Sequence, residues 1–297
     1  MKRWAVPAVP FALSLCLSLL TVGPYPYWQD SGLYLSAIKE LGVLYPPGFA
    51  LYELLGHAWA RLFFFLDFTL AVHLFSSVCA AGAAAAIATA TRDLLRSRGR
   101  IVRVTDADPG EAADWAGVLS GVVLACGYTF WAAGIYAKGY TFYYLILALL
   151  LGRMIRASET GRLRDFIVVA ALIGLAWQAH PSASLTGLAL LAFVALHAKT
   201  VGWKGAAGGF ATAAACALGP TLLLLPWFSS RAPWLVMGEP RGPLEALSHA
   251  TGKRFVTLPG VFGLDSVRVA SFGRYFWEEF LGVGVILVAI GLIMIGR

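Results

Sequence analysis

The stretch FTLAVHLFSSVCAAGAAAAIATATRDLLRSRGR, residues 68–100, decides the fold class. Residues 68–90 contain no Asp, Glu, Lys or Arg, and a run of that length is sufficient for a helix that crosses a bilayer. A group of arginines follows at once, which is typical of the point where a membrane helix reaches the cytoplasm. The stretch therefore predicts a transmembrane helix whose arginine-rich end lies inside the cell.

The rest of the chain repeats this pattern. Of its 297 residues, 59% are hydrophobic and 13% are charged, and the mean hydropathy is +0.73. A soluble domain of this size cannot cover so much apolar surface. We therefore expect an all-α fold, a polytopic membrane helix bundle in which residues 1–297 form a single transmembrane domain with about eight transmembrane helices. The predicted spans lie near residues 5–23, 68–90, 115–134, 140–155, 165–179, 183–198, 206–227 and 277–296.

Positive charges in the loops predict the orientation of the bundle. With the N-terminus inside, most Lys and Arg fall in cytoplasmic segments. The short outer loop after the third span holds only Lys138, and the one after the fifth span holds no Lys or Arg. Both termini are then cytoplasmic, and the net charge of +7 reflects membrane orientation rather than nucleic-acid binding. No signal-peptide cleavage site follows the first span, so we interpret it as an uncleaved helix. We expect a multi-pass protein of the bacterial inner (plasma) membrane.

The first long outer region, residues 24–67, carries a predicted interfacial helix. Residues 48–65 are too polar to span cleanly, and a helix lying along the outer leaflet fits them better than a crossing. Glu53, His57 and Arg61 are spaced four apart and therefore share one face of this helix. We interpret that face as one in contact with water.

Asp30 is the candidate catalytic residue, because it lies just beyond the first span on the outer side. A carboxylate in that place can accept a proton from a hydroxyl nucleophile. An Asp-Ser-Gly sequence also suits a tight turn or a helix cap, so ordinary turn chemistry is the alternative interpretation. The residues predicted to shape and stiffen the loop around Asp30 are Ser31, Gly32, Pro46, Pro47 and Gly48.

Two further side chains of interest fall on the same outer side. Lys138 lies between two apolar runs and could neutralise a phosphate or simply extend its charge to the interface. His180, which is followed by Pro181, ends a predicted helix and could bind substrate or only cap the structure. His73, inside the second span, is better explained as a hydrogen-bonded packing residue.

The second long outer region, residues 229–275, is rich in Pro, Gly and charge. Its cations Arg231, Arg241 and Lys253 suit phosphate groups of a substrate, or lipid headgroups. A carboxylate and several cations on one membrane face suit group transfer from a lipid-linked phosphate donor, in which the cations would stabilise the departing phosphate. No cofactor is predicted, and a divalent metal is possible but not supported, since Asp30 without a neighbouring carboxylate offers few oxygens to such an ion.

Several blocks along the chain resemble a known family. The blocks DSG, YPPG, AVHLFSS, FWAAGIYAKGYTFYY, GLAWQAHPS and RAPWLVMGEPRGPLEALSHATGKRF occur in this order, between about residues 25 and 260. In this order they resemble the domain-of-unknown-function 2723 family, protein O-mannosyltransferase-like membrane proteins of the GT-C glycosyltransferase superfamily. The resemblance implies a polyprenyl- or dolichyl-phosphate sugar donor and an acceptor protein or glycan. It also implies that Asp30 is the base that activates the acceptor hydroxyl, with inversion at the anomeric carbon.

Three residues depart from the pattern of that family. Leu33 stands where the family usually has Glu, Tyr45 where it usually has His, and Lys138 near the place of another Glu. The chain is therefore either a divergent transferase or a catalytically weakened relative that binds lipid-linked sugar or a partner. A multi-span transporter is the third alternative, although such proteins need ionisable groups near the middle of the membrane and the sequence has few.

Overall fold

The computed structural model describes residues 2–27, 30–97 and 108–252, together with Ser271 and Arg274. Within these residues the chain is helical, without a β-strand. The helices are α1 Ala5–Thr21, α2 Ser31–Glu40, α3 Ala50–Leu62, α4 Phe68–Ser97, α5 Pro109–Cys126, α6 Tyr128–Gly134, α7 Tyr140–Thr160, α8 Leu163–Trp177, α9 Ser184–Leu196, α10 Ala198–Arg231 and α11 Pro243–Ala250, with a 3₁₀ turn at Pro181–Ala183. The predicted all-α class is confirmed for this part of the chain.

Three of the described helices, α4, α7 and α10, are long and apolar enough to cross a membrane. A fourth span results if α5 and α6, which meet at an angle of 69°, are counted as one bent crossing. Helices α1, α8 and α9 coincide with further predicted spans, but they have 17, 15 and 13 residues, fewer than the roughly 20 that a perpendicular crossing needs. The predicted span at 277–296 lies outside the described residues. A membrane protein is thus supported, while the number of eight spans stays a prediction.

Small residues let the central helices approach closely. A Cβ atom on Gly117 of α5 would lie 2.6 Å from the Ala88 carbonyl oxygen of α4, and one on Gly121 would lie 2.8 Å from that of Ala84. Neither position has room for a larger side chain. Backbone contact of this kind is how helices associate in a bilayer, where the hydrophobic effect does not drive them together.

The two long regions predicted on the outer side are joined to each other. The Val43 N–H donates to the Leu235 carbonyl at 2.8 Å, and the Met237 N–H donates to the Val43 carbonyl at 2.9 Å. His249 of α11 donates from Nε2 to the Leu44 carbonyl at 2.8 Å. These bonds fix the chain immediately before Tyr45, which belongs to the site described below.

The interpretation of α3 as a helix with a wet polar face is wrong for Glu53. The Glu53 side chain is 0% exposed, and His57 donates from Nδ1 to the Ile38 carbonyl at 2.8 Å, while Arg61 is exposed. Helices α2, α4 and α10 all pack against α3, and this packing buries Glu53 on a face that looks polar in the sequence. His73 is confirmed as a packing residue, since it is buried and its Nδ1 bonds the Gly23 carbonyl at 3.1 Å.

Candidate functional site

Asp30 immediately precedes α2, and its side chain is directed away from the helix. The Asp30 carbonyl accepts the Tyr34 N–H at 3.0 Å, but the carboxylate makes no capping hydrogen bond to the first turn. Instead, Oδ2 accepts a hydrogen bond from the Tyr45 hydroxyl at 3.0 Å and lies 3.6 Å from Nζ of Lys138. The Asp30 side chain is 45% exposed. The ordinary cap interpretation therefore does not account for this carboxylate.

Tyr45 is held by the turn that follows it and by Tyr34. The Gly48 N–H donates to the Tyr45 carbonyl at 2.9 Å, and Gly48 has a φ of +91°, which favours glycine. The Tyr34 hydroxyl lies 3.2 Å from the Tyr45 hydroxyl. Because the Tyr45 hydroxyl uses its hydrogen in the bond to Asp30, the Tyr34 hydroxyl is the hydrogen-bond donor to the Tyr45 oxygen. The hydroxyls thus form a directed chain that ends on Oδ2 of Asp30.

Burial keeps Tyr34 and Tyr45, the two tyrosines that lead to Asp30, protonated. Burial, together with the negative charge of Asp30, raises the pKa of Tyr45 to about 12. Burial raises the pKa of Tyr34 far above its usual range. Both phenols are therefore hydrogen-bond donors throughout the physiological range of pH.

Lys138 lies in the connection between α6 and α7, and its side chain is only 7% exposed. Its Nζ is 4.8 Å from the centre of the Tyr140 ring as well as 3.6 Å from Asp30. A buried ammonium group requires such compensation by an anion or an aromatic face. The structure thus places the predicted phosphate-binding cation directly beside the predicted base.

His180 follows α8 and contacts Tyr140 from another direction. The two ring centres are 5.2 Å apart, and the Tyr143 ring centre lies 5.4 Å from that of His180. Nδ1 of His180 accepts the Ser182 N–H at 3.1 Å, so in the neutral ring the proton is on Nε2. Burial, followed by the charge of Lys138, lowers the pKa of His180. The arrangement provides a neutral N–H donor close to the Lys138 cation.

The late-loop cations are not part of this cluster. Arg241 is 79% exposed and pairs with Glu239 at 3.1 Å, and Arg231 lies at the end of α10 beside the Trp227 ring. In the described part of the chain, neither arginine bonds Asp30 or His180. Lys253 lies outside the described residues. The structure therefore brings together Asp30, Lys138 and His180, but does not join Arg231 or Arg241 to them.

The residues predicted to shape the loop differ in their surroundings. Gly48 is restricted both by its φ and by Leu225, whose Cδ2 would lie 2.7 Å from a Cβ at this position. Pro46 and Pro47 form the turn that carries Tyr45, and a Cβ on Gly32 would meet nothing within 4 Å. Ser31 is fully buried, and its Oγ has no hydrogen-bond partner among the residues that the structure describes.

The two tyrosines of the hydroxyl chain were not among the predicted site residues. Tyr34 follows Asp30 by four residues, which places it on the same side of α2, and this spacing could have identified it. Tyr45 stood out only as a departure from the family pattern. Its contact with Asp30 depends on how the loop folds back after α2, which no local spacing predicts.

A family comparison covers the part of the chain that holds this cluster. A model of the protein O-mannosyl-transferase TMEM260 N-terminal domain matches residues 30–203, a segment that begins at Asp30 and includes Lys138 and His180. No curated protein and no solved structure matches the chain. Since the family match spans more than half of the sequence, the chain belongs to the protein O-mannosyl-transferase TMEM260 N-terminal domain family.

Proposed function

We propose that this protein is a membrane glycosyltransferase of the GT-C type. It would move a sugar, mannose according to the name of its family, from a polyprenyl-phosphate donor to an acceptor hydroxyl such as a protein Ser or Thr. The observation that carries the proposal is the cluster of Asp30, Tyr45 and Lys138, in which a half-exposed carboxylate lies beside a buried cation. The family match supports the class of reaction independently of this geometry.

Asp30 would act as the general base. The acceptor oxygen forms a bond to the anomeric carbon while its proton passes to the Asp30 carboxylate. The bond between that carbon and the phosphate oxygen breaks, and the polyprenyl phosphate leaves with the electron pair. A single displacement of this kind inverts the configuration at the anomeric carbon. The exposure of Asp30 suits a group that must meet an incoming acceptor and later return its proton to water.

Lys138 and His180 would bind the phosphate of the donor. The phosphate gains negative charge as the sugar leaves, and an ammonium group together with an N–H donor stabilises that charge most strongly where water is excluded. Lys138 is shielded from solvent, and Nε2 of His180 carries the proton at neutral pH. The exposed cations Arg231, Arg241 and Lys253 would instead attract the anionic donor to this face.

We further propose that the site lies on the outer, periplasmic face of a bacterial plasma membrane. The distribution of Lys and Arg supports this orientation, with eight spans and both termini in the cytoplasm. Helix α3 would lie in the outer interface. The exposed side chains of Leu62, Phe64 and Phe65 at the end of α3 suit contact with lipid, because three large apolar side chains in one short segment are rarely left in water.

A second candidate function is a relative that binds lipid-linked sugar without turnover. The observation in its favour is the ion pair itself, since Lys138 occupies one side of the carboxylate that must accept the proton. The two functions can be separated with labelled polyprenyl-phosphate mannose. Membranes that contain the protein should move the label to an acceptor when membranes without it do not. Binding of the donor with no transfer would support the second function instead.

A further inference from the structure

We infer that Tyr45 is a positioning residue for Asp30, and that Oδ1 of Asp30 is the oxygen that receives the acceptor proton. The inference rests on the proposed role of Asp30 as the base. It assigns different tasks to the two carboxylate oxygens: Oδ2 is held by the protein, and Oδ1 faces the substrate.

The contacts of Asp30 are concentrated on one oxygen. Oδ2 accepts the Tyr45 hydroxyl at 3.0 Å and is the carboxylate oxygen 3.6 Å from Nζ of Lys138. Within residues 2–27, 30–97 and 108–252, Oδ1 accepts no hydrogen bond. Since almost half of the side chain is exposed, the oxygen without a hydrogen bond is the one open to an acceptor hydroxyl.

Tyr34 and Phe49 fix the Tyr45 hydroxyl in place. Tyr34 is 2% exposed and donates to the Tyr45 oxygen at 3.2 Å, which strengthens the hydrogen bond that Tyr45 gives to Asp30. The rings of Tyr34 and Tyr45 meet edge to face, with centres 6.2 Å apart, and the Phe49 ring is 5.5 Å from that of Tyr45. The hydroxyl therefore has a rigid aromatic support of the kind that holds a reacting group in productive geometry.

The hydrogen bond from Tyr45 limits the rotation of the Asp30 side chain, which would otherwise turn freely. Asp30 precedes a helix and makes no cap hydrogen bond, so nothing local restricts its carboxylate. With Oδ2 bound, rotation can no longer exchange the two oxygens, and Oδ1 stays directed toward the acceptor. Loss of one hydrogen bond to a charged group corresponds to a rate change of about tenfold to hundredfold.

The test is Tyr45→Phe, which keeps the ring and removes the hydroxyl. We expect kcat for sugar transfer to fall about tenfold to hundredfold, while KM for the donor changes less than about twofold. A purely structural role would instead lower thermal stability without this separation of kcat from KM. Tyr128→Phe is the matched control, since Tyr128 is 70% exposed at the start of α6 and its variant should keep the wild-type kcat.

Two further variants distinguish failure of the inference from failure of the proposed function. If Asp30→Asn retains transfer, Asp30 is not the base, and the proposed function fails together with the inference. If Asp30→Asn is inactive while Tyr45→Phe has the wild-type kcat, only the inference is overturned. Should Tyr45→Phe fail to fold, Tyr34→Phe is decisive, because it keeps the Tyr45 hydroxyl but removes the hydrogen bond that holds this hydroxyl in place against Asp30. A lowered kcat in Tyr34→Phe supports the inference, and a wild-type kcat overturns it.

Discussion

The buried carboxyl group of Glu53 should make the stability of the protein fall as the pH rises. The Glu53 side chain is fully buried in α3, and neither carboxylate oxygen has a hydrogen-bond partner among the described residues. Burial raises the pKa of Glu53 well above 4.5. The folded protein therefore holds a proton that the unfolded chain releases once the pH exceeds about 4.5.

The sign of the pH dependence follows from this difference. Between the pKa of the unfolded chain and the raised pKa of the folded protein, the folded state binds one more proton, so its stability falls as the pH rises. One proton corresponds to about 1.4 kcal/mol for each pH unit in that range. Glu53→Gln cannot release a proton, and its free energy of unfolding should lack this contribution. The variant should become more stable relative to the wild type with each unit of increasing pH.

The assay is unfolding of purified protein in detergent at several values between pH 5 and pH 8, for both proteins. A difference of 1 kcal/mol shifts the midpoint temperature by about 2–4 °C in chains of 150–250 residues, so the divergence is measurable. Glu245→Gln removes an exposed carboxylate of α11 and is the control, and its stability should follow that of the wild type. If the wild-type and Glu53→Gln profiles remain parallel, Glu53 is not a buried neutral acid and the reasoning is refuted.

Variants at three other residues test the rest of the site. Lys138→Met should lower kcat more than tenfold because Asp30 loses its counter-ion, and Lys138→Arg should recover part of the lost activity. Unchanged activity in Lys138→Met would exclude Lys138 as the counter-ion of the base. Burial and Lys138 lower the pKa of His180 below 6.5, so donor affinity should not vary above about pH 7.5, and His180→Ala should weaken donor binding about tenfold. A loss of affinity as the pH rises further would contradict a neutral donor. Gly48→Ala should destabilise the protein by about 1–3 kcal/mol in thermal unfolding, because φ is +91° and Leu225 fills the space; an unchanged midpoint would contradict this.

The helices of the bundle were predictable where hydropathy alone determines them. The apolar run at 68–90 predicts the α4 span, and the helix continues beyond this run to Ser97, through a segment that contains Arg92 and Arg96. Arg92 bonds Asp93 at 2.8 Å, and Arg96 bonds Asp114 of α5 at 2.6 Å. The sequence marks where the apolar run stops, but it does not show how far the helix continues or that Arg96 pairs with a residue of α5.

The error at Glu53 has a related cause. Its spacing with His57 and Arg61 describes one face of a helix correctly, but whether that face meets water depends on α2, α4 and α10. Helix α10 begins almost 150 residues later in the chain. Tertiary packing of this kind cannot be derived from the periodicity of one segment.

The site was predictable in its separate parts but not in its contacts. The sequence alone predicts Asp30 and Lys138 as site residues, and Oδ2 of Asp30 lies 3.6 Å from Nζ of Lys138 in the structure. Tyr45 and Lys138, which depart from the family pattern, both contact the same oxygen of Asp30. The two departures therefore belong to one local arrangement around the carboxylate, which only the folded chain reveals.

The central claim is that Asp30 takes the proton of the acceptor. The most direct measurement compares wild type and Asp30→Asn, in the same membranes, for transfer of labelled mannose from polyprenyl-phosphate mannose and for binding of that donor. We predict that Asp30→Asn binds the donor with near wild-type affinity but transfers no label above membranes without the protein, because an amide cannot accept the proton. Transfer by Asp30→Asn at the wild-type rate would contradict the account.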